Sequence, residues 1–124
     1  MFSLGLDIGS SSVKVALTET HTGKKIAVVQ EPKDEMEILS VQSSWAEQDP
    51  NHWWEIVCIA IKKLLQKSGV DASQVQRIGI AYQMHGLVVV DQSGDCLRNS
   101  IIWCAVGQFR LEKKHIEIWV QKNA

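Results

Sequence analysis

Cysteine is scarce in this sequence and is not spaced for cross-linking or for metal binding. The chain contains three cysteines, an odd number, and none of them stands in a C-x-x-C spacing. This excludes a disulfide framework and a zinc site built on cysteine pairs, and it favours cysteines that serve as small packing residues. The four histidines indicate no metal site either, because none lies four residues from another histidine or from a cysteine.

A strong charge of one sign and long hydrophobic runs are also missing. Thirteen basic and 14 acidic residues give a formal net charge of -1, which creates no broad attraction to nucleic acid or anionic lipid. Apolar runs such as residues 87–90 are far too short to span a bilayer, and the N-terminus lacks the pattern of a signal peptide. We therefore expect a cytoplasmic protein with no nucleic-acid or membrane partner.

What remains is the composition of a globular domain with one modest core, since 45% of the 124 residues are hydrophobic and 22% are charged. Alternating apolar residues predict two antiparallel hairpins made of three strands, at residues 2–8, 13–18 and 25–30. Asp49 as N-cap, Pro50 as first helical residue and Gly69 past the end predict a helix over residues 50–67. Further strands are expected at residues 38–41, 77–81, 87–91 and 101–103. This order indicates one mixed α/β sheet rather than two domains.

The first hairpin is connected by an unusual loop, in which an acid and a glycine precede three serines. Gly9 has no side chain to block a ligand, and the N-H groups and hydroxyls of Ser10, Ser11 and Ser12 can point into one concavity. This pattern favours a phosphate cradle. The alternative is a serine-rich turn, because the loop has neither the P-loop spacing nor that of a dinucleotide-binding motif.

Two charged residues flank this loop. Asp7 ends the first strand and could hold Mg²⁺, directly or through water, against phosphate oxygens. Lys14 would add a positive charge to a transferring phosphoryl group, although strand alternation could instead turn it to solvent. Under the alternative interpretation, Asp7 is only an exposed aspartate beside a turn.

The second polar segment is Gln83-Met84-His85-Gly86, between two apolar runs. Gln83 and His85 can both donate and accept hydrogen bonds, as a polyhydroxylated ligand requires. The alternative is a histidine that caps a turn between strands. Trp53 and Trp54, in the first helical turn, are expected to be core residues rather than ligand-binding residues.

Three segments together resemble the N-terminal part of the FGGY carbohydrate kinases, most closely the xylulokinase-like branch: LGLDIGSSSVKVAL, WAEQDPNHWWEIV and IGIAYQMHGLVVVDQSGDCLRNSIIW. The resemblance covers residues 4–104. It implies an α/β fold with a ribonuclease H-like (actin-like ATPase) core, in which an antiparallel N-terminal meander, a helix and further strands form a mixed sheet. It also implies an ATP-dependent kinase that phosphorylates a pentulose such as D-xylulose, with ATP and Mg²⁺ as cofactors and the sugar and ATP as partners.

The resemblance assigns roles to individual residues. It implies that the ATP phosphates meet Asp7, Gly9, Ser10, Ser11, Ser12 and Lys14, with Asp7 near Mg²⁺. It implies that the sugar pocket is lined by Gln83, Met84, His85 and Gly86. A structural part at the helix entrance is implied for Trp45, Glu47, Gln48 and Asp49.

The chain departs from the family pattern after Trp103-Cys104. The family continues with Asp, a small residue and Arg, whereas this chain continues with Ala105-Val106-Gly107-Gln108. We therefore divide the chain into residues 1–104, the N-terminal part of kinase domain I, and residues 105–124, a divergent helix-like tail. The family's catalytic aspartate, second phosphate loop and adenosine site find no match, so we expect a truncated or frame-shifted N-terminal fragment that is inactive alone. The alternatives are a non-catalytic module of the same fold, which could form a homodimer, and a glycerol or gluconate kinase.

Overall fold

The structure is a computed structural model that describes residues 1–41 and 45–102, and these residues form two compact units. The first unit comprises residues 1–37 and 50–83, and the second comprises the described residues among 38–49 and 84–102. The predictions for Trp103, Cys104 and the tail at 105–124 lie outside the described residues. The elements in chain order are β1 (Phe2–Ile8), β2 (Val13–Glu19), β3 (Lys25–Glu31), β4 (Glu47–Gln48), α1 (Pro50–Ser68), a 3-10 turn (Ala72–Gln74), β5 (Val75–Tyr82) and β6 (Ser100–Ile101).

The first unit is a four-stranded mixed sheet in the order β3-β2-β1-β5. The first three strands form the predicted antiparallel meander, and β5 pairs with β1 in parallel. The register places Leu6 beside Val15 on β2 and beside Ile80 on β5. Parallel pairing requires a long crossover, which α1 provides. The predicted meander, the predicted helix and the predicted strand at 77–81 are therefore confirmed.

Helix α1 covers one face of the sheet and forms the core with it. Its buried residues recur at helical spacing, at Ile56, Val57, Ala60 and Leu64. They pack against the buried sheet residues Leu4, Leu6, Val13, Val15, Leu17 and Ala27. The helix ends where predicted, because Gly69 adopts a left-handed φ of 68° and its N-H donates to the Leu65 carbonyl at 3.0 Å.

The two tryptophans of the first helical turn do not behave alike. Trp53 is partly buried and packs against the core, as expected. Trp54 is 67% exposed, so the prediction that both are core residues is wrong for Trp54. The reason is helical geometry, because successive residues project about 100° apart and only one of two neighbours can face the sheet.

The second unit contains a separate two-stranded sheet, in which β4 pairs antiparallel with β6. The prediction of one sheet is therefore wrong, and so are the predicted strands at 38–41 and 87–91. Those segments form only isolated bridges, in which Leu39 meets Glu47, Leu87 meets Ile101 and Val90 meets Cys96. Since Leu87 and Val90 pair with different segments, no continuous ladder develops between them.

Candidate functional site

The candidate site begins on the sheet face opposite α1. On β1, Leu4 and Leu6 are buried under the helix, while Gly5 and Asp7 alternate onto the exposed face. Asp7 pairs in register with Lys14 on β2 and with Ala81 on β5. Asp7 therefore places a carboxylate near the C-terminal end of β1, on the sheet face that α1 does not cover.

Lys14 faces Asp7 across the β1–β2 pair. The Lys14 Nζ lies 3.8 Å from the Asp7 Oδ2, and the two side chains are 55% and 59% exposed. An exposed pair at this distance contributes at most about 1 kcal/mol to stability. Both charges therefore remain accessible to a ligand, and the alternation that turns Lys14 outward also turns it to the Asp7 face.

The loop between β1 and β2 is a tight turn closed by its own backbone. The Gly9 N-H donates to the Ser12 carbonyl at 3.1 Å. A Cβ at position 9 would lie 3.2 Å from that carbonyl oxygen, so a side chain there would crowd the turn. The serines differ, because Ser12 is 7% exposed whereas Ser11 is exposed. Glycine therefore suits this tight turn, and the lack of a side chain at position 9 would also let a phosphate approach the loop closely.

A small polar cavity lies beside this turn. It has a volume of about 70 Å³ and is lined by Ser11, Ser12, Gln30, Lys33, Asp34 and Glu35. The Ser11 carbonyl accepts a hydrogen bond of 2.8 Å from the N-H of Met36, a residue that is only 5% exposed. This bond holds the segment after β3 against the loop. The lining includes two acids and one lysine, so its charge favours water or a cation over a bare anion.

Gln83 follows β5 and lies on the same sheet face as Asp7. Its N-H donates to the Ile8 carbonyl at 2.9 Å, which continues the β1–β5 ladder beyond Tyr82. Asp7 pairs with Ala81, so a residue two positions along β5 returns to the Asp7 face. Both side-chain amide atoms of Gln83 are shielded from solvent and have no hydrogen-bond partner among the described residues. An unsatisfied buried amide is rare in folded proteins and calls for an explanation.

The other three residues of the Q-M-H-G segment belong to the second unit. Met84 is 69% exposed, and His85 is also exposed. His85 adopts a φ of 60°, a left-handed conformation that is uncommon outside glycine and often occurs at functional turns. Gly86 is not required for space, because a Cβ there would meet the Ser100 Oγ at an ordinary 3.8 Å.

Within the Trp45-Ala-Glu-Gln-Asp49 segment, the structure describes two buried polar residues. Glu47 and Gln48 are 5% and 3% exposed and form β4. The Arg98 guanidinium donates to the Glu47 Oε1 at 2.5 Å, which neutralises the buried carboxylate. The Glu47 carboxylate therefore stabilises the second unit rather than binding a ligand.

Sequence reasoning missed the segment that borders the phosphate loop. Gln30, Lys33 and Met36 carry no motif, and they lie beside the loop through the β2–β3 register and the Met36–Ser11 hydrogen bond. The hairpin register could have found Gln30, since it pairs with Lys14. Within residues 1–41 and 45–102, no group of three histidine, cysteine or acidic side chains is arranged to hold a metal ion. In the same ranges, no helix has the length and apolarity needed to cross a membrane.

A family model and several known proteins match this chain. The model of the N-terminal domain of the FGGY family of carbohydrate kinases matches residues 2–115. The chain is 36% identical over 100 residues to a xylulose kinase of Staphylococcus epidermidis, covering 81% of this chain and 19% of that protein. It is 31% identical over 121 residues to a glycerol kinase of Rhizobium meliloti, covering 94% of this chain and 24% of that protein.

A solved structure has the same fold. A crystal structure described as a xyloylose kinase from Brucella ovis aligns with a TM-score of 0.79 and 29% identity, covering 89% of this chain and 22% of that chain. The mixed sheet with its crossover helix is therefore the α/β arrangement of FGGY kinases with the actin-like ATPase fold. The chain spans about a fifth of the length of the curated relatives that it matches.

Proposed function

This chain belongs to the FGGY family of carbohydrate kinases, and we propose that it contributes the phosphate-binding loop and part of the sugar pocket of an ATP-dependent sugar kinase. The main observation that supports this proposal is the exposed Asp7–Lys14 pair beside the Gly9 turn. We propose a pentulose such as D-xylulose as substrate, supported by the Q-M-H-G segment and by the names of the similar proteins. Glycerol is the second candidate, because the similar glycerol kinase covers 94% of this chain.

The phosphate side of the site fits MgATP in two respects. The turn is tight around Gly9, and the buried amide of Gln83 has no hydrogen-bond partner within residues 1–41 and 45–102. When bound, MgATP supplies the phosphoryl group that is transferred. Asp7 would hold Mg²⁺ through water, since a single carboxylate suits an ion that keeps most of its hydration.

The remaining residues of the loop orient the phosphates. Ser10, Ser11 and Ser12 offer hydroxyl and N-H donors, and Lys14 offers a positive charge on the same sheet face as Asp7. These groups would neutralise negative charge on phosphate oxygens. The segment held by the Met36–Ser11 hydrogen bond keeps the loop in position while they do so.

The sugar side of the proposed site rests on the exposed turn of the second unit. His85 and Met84 offer a polar ring and an apolar surface, and Gly86 follows them in the turn. A polyol is recognised by hydrogen bonds to its hydroxyls and by apolar contact with its carbons. We propose that the His85 ring supplies the hydrogen bond and the Met84 side chain the apolar contact.

The complete reaction needs groups beyond the ones assigned above. A base must take the proton of the sugar hydroxyl, and the adenosine must be held. We propose that both lie in residues corresponding to the rest of the relatives' length. The 124-residue chain alone should then bind MgATP without phosphorylating sugar. We also propose a cytoplasmic location, where ATP and free sugars are available.

Binding to the 124-residue chain tests the proposal. In ¹⁵N–¹H spectra, MgATP should shift the amide signals of residues 9–14, and D-xylulose should shift those of residues 84–86. Asp7→Asn is the control, and it should weaken the MgATP effect while leaving the D-xylulose effect intact. Absence of both effects in the wild-type chain would contradict the proposed function.

The competing function is a non-catalytic module that self-associates. A row of apolar side chains on the edge strand β5 favours it, since Ile78, Ile80 and Tyr82 are 61%, 60% and 76% exposed. These residues share the sheet face of α1, which covers β2 and β3 but leaves β5 open. Sedimentation of the wild-type chain and of Ile80→Lys decides this: a homodimer that the substitution dissociates, without MgATP binding, would favour the module.

A further inference from the structure

We propose that Gln83 serves the phosphate and Mg²⁺ side of the site and not the sugar pocket, a role that rests on the proposed kinase function. The resemblance groups Gln83 with Met84, His85 and Gly86 as sugar-pocket residues. By its contacts Gln83 belongs to the first unit, together with Asp7 and Lys14, whereas the other three residues belong to the second unit. In this role, the Gln83 carboxamide forms hydrogen bonds with MgATP phosphates and with water bound to the metal ion.

The backbone fixes the position of Gln83 beside the phosphate loop. The hydrogen bond from the Gln83 N-H to the Ile8 carbonyl extends the β1–β5 ladder to the residue that precedes Gly9. Parallel pairing aligns Asp7 with Ala81, and strand alternation continued one residue beyond the end of β5 brings Gln83 to that face. A long side chain at this diagonal position can reach a ligand that also contacts Asp7.

The chemistry of the amide matches what this side of the site needs. A carboxamide offers two N-H donors and one carbonyl acceptor. The donors suit phosphate oxygens, which Asp7 repels, and the acceptor suits a water molecule bound to Mg²⁺. Because the amide is neutral, it can add these bonds without changing the charge balance between Asp7 and Lys14.

The ligand-free amide is held in an unfavourable state. Its nitrogen and oxygen are both shielded from solvent and both unpaired among the described residues. A residue needed only for packing would be apolar there, because a methionine fills a similar volume without unsatisfied groups. Binding of MgATP would let the side chain turn toward the loop and form hydrogen bonds that it lacks without ligand. We therefore expect the Gln83 side chain to rearrange when the phosphates bind.

The test uses the 124-residue chain and two variants with the same chemical change. Gln83→Met removes the amide, and Gln76→Met makes that substitution at an exposed position of the same strand. Side-chain amide signals are followed by ¹⁵N–¹H NMR during separate titrations with MgADP, magnesium pyrophosphate and D-xylulose, and dissociation constants are measured by calorimetry. MgADP and magnesium pyrophosphate should shift the Gln83 NH₂ signal, and D-xylulose should not. Gln83→Met should weaken MgADP binding about tenfold or more, as loss of a hydrogen bond to a charged group does, whereas Gln76→Met should not.

Three results would overturn the proposal, and they separate it from the proposed function. If D-xylulose alone moves the Gln83 signal, Gln83 is a sugar ligand. If MgADP shifts residues 9–14 while the Gln83 signal and the affinity of Gln83→Met stay unchanged, the kinase function stands and this role for Gln83 falls. If neither MgADP nor magnesium pyrophosphate binds the wild-type chain, the proposed function fails and the role of Gln83 fails with it.

Discussion

The Nζ of Lys14 lies 3.8 Å from the Oδ2 of Asp7, across paired positions of β1 and β2. Both side chains are more than half exposed, on the sheet face that α1 leaves open. This pair contributes little to folding, and it lies beside a turn in which a Cβ at position 9 would crowd the Ser12 carbonyl. It is therefore better suited to binding a ligand than to stabilising the fold.

The first prediction concerns Asp7. In the proposed sugar kinase, Asp7→Asn should lower kcat steeply and leave the KM for sugar nearly unchanged, because it keeps the shape of the side chain but removes the charge that steadies Mg²⁺. The unfolding free energy should change by less than about 1 kcal/mol, since the pair with Lys14 is exposed. Steady-state kinetics with ATP and sugar varied independently measure the effect. A kcat within about threefold of wild type, or roughly 0.7 kcal/mol of barrier, would mean that the serine-rich turn is only a turn.

The second prediction concerns His85. His85→Ala should raise the KM for sugar by about tenfold, the effect of one lost hydrogen bond of roughly 1.4 kcal/mol, while kcat falls less. His85→Asn is the matched control, because asparagine tolerates the left-handed φ of 60° and keeps a side chain that donates and accepts. It should retain more sugar affinity than the alanine variant. Equal sugar affinity in wild type and His85→Ala would remove His85 from the pocket.

The fold of the first unit could be predicted almost entirely from local pattern. Alternation at 2–8, 13–18 and 25–30 specified the meander, and Pro50 and Gly69 bounded α1 as the structure has it. The second unit could not be predicted in this way. An apolar run such as residues 87–91 has the composition of a strand, but whether it pairs depends on distant partners. Here it forms two isolated bridges with different segments, Leu87 with Ile101 and Val90 with Cys96.

The candidate site likewise has a part that could be predicted from the sequence and a part that could not. Motif and resemblance identified the loop and the Q-M-H-G segment, because those residues are contiguous in sequence. The cavity between the loop and residues 30–36 was missed, because the Met36–Ser11 hydrogen bond joins residues 25 positions apart. Sequence also could not reveal that the Gln83 amide is buried with no hydrogen-bond partner among the residues that the structure describes. That property arises from tertiary packing and not from any spacing of residues.

The third prediction follows from that amide. In the ligand-free chain, Gln83→Met should raise the unfolding free energy by about 1–3 kcal/mol, because it removes two buried polar atoms that have no partner in the described part of the chain. Chemical denaturation measures the change, with Gln76→Met as the exposed control that should stay within about 0.5 kcal/mol of wild type. A loss of stability in Gln83→Met would indicate that the amide has a structural partner.

The fourth prediction concerns the ion pair of the second unit. Arg98→Met should destabilise the chain by about 3–5 kcal/mol, because it leaves the Glu47 carboxylate buried and unpaired. The double variant Glu47→Gln with Arg98→Met should recover a large part of that loss, since it removes the buried charge. Denaturation of the two single variants and the double variant measures the coupling. Additive effects would show that the pair does not stabilise the unit.

The fifth prediction uses the turn after β2. The Glu19 carboxylate accepts hydrogen bonds of 2.6 Å from the Thr22 hydroxyl, 2.8 Å from the Thr22 N-H and 3.1 Å from the His21 N-H. These bonds, the Thr22 hydroxyl first, lower the pKa of Glu19 from 4.5 to about 2. Since the pKa of the folded state is below that of the unfolded state, the charged carboxylate stabilises the fold above pH 4.5. This contribution is lost progressively as the pH falls from 4.5 to about 2.

Glu19→Gln isolates that contribution. The difference in unfolding free energy between wild type and Glu19→Gln should be constant above pH 5 and should shrink as the pH falls toward 2, because only the wild-type residue titrates there. Thr22→Val removes the largest cause of the shift, so NMR titration of the Glu19 carboxyl in that variant should give a pKa closer to 4.5. A difference that does not vary between pH 5 and 2 would mean that Glu19 has the same pKa in the folded and unfolded states, and that the turn is held by its backbone alone.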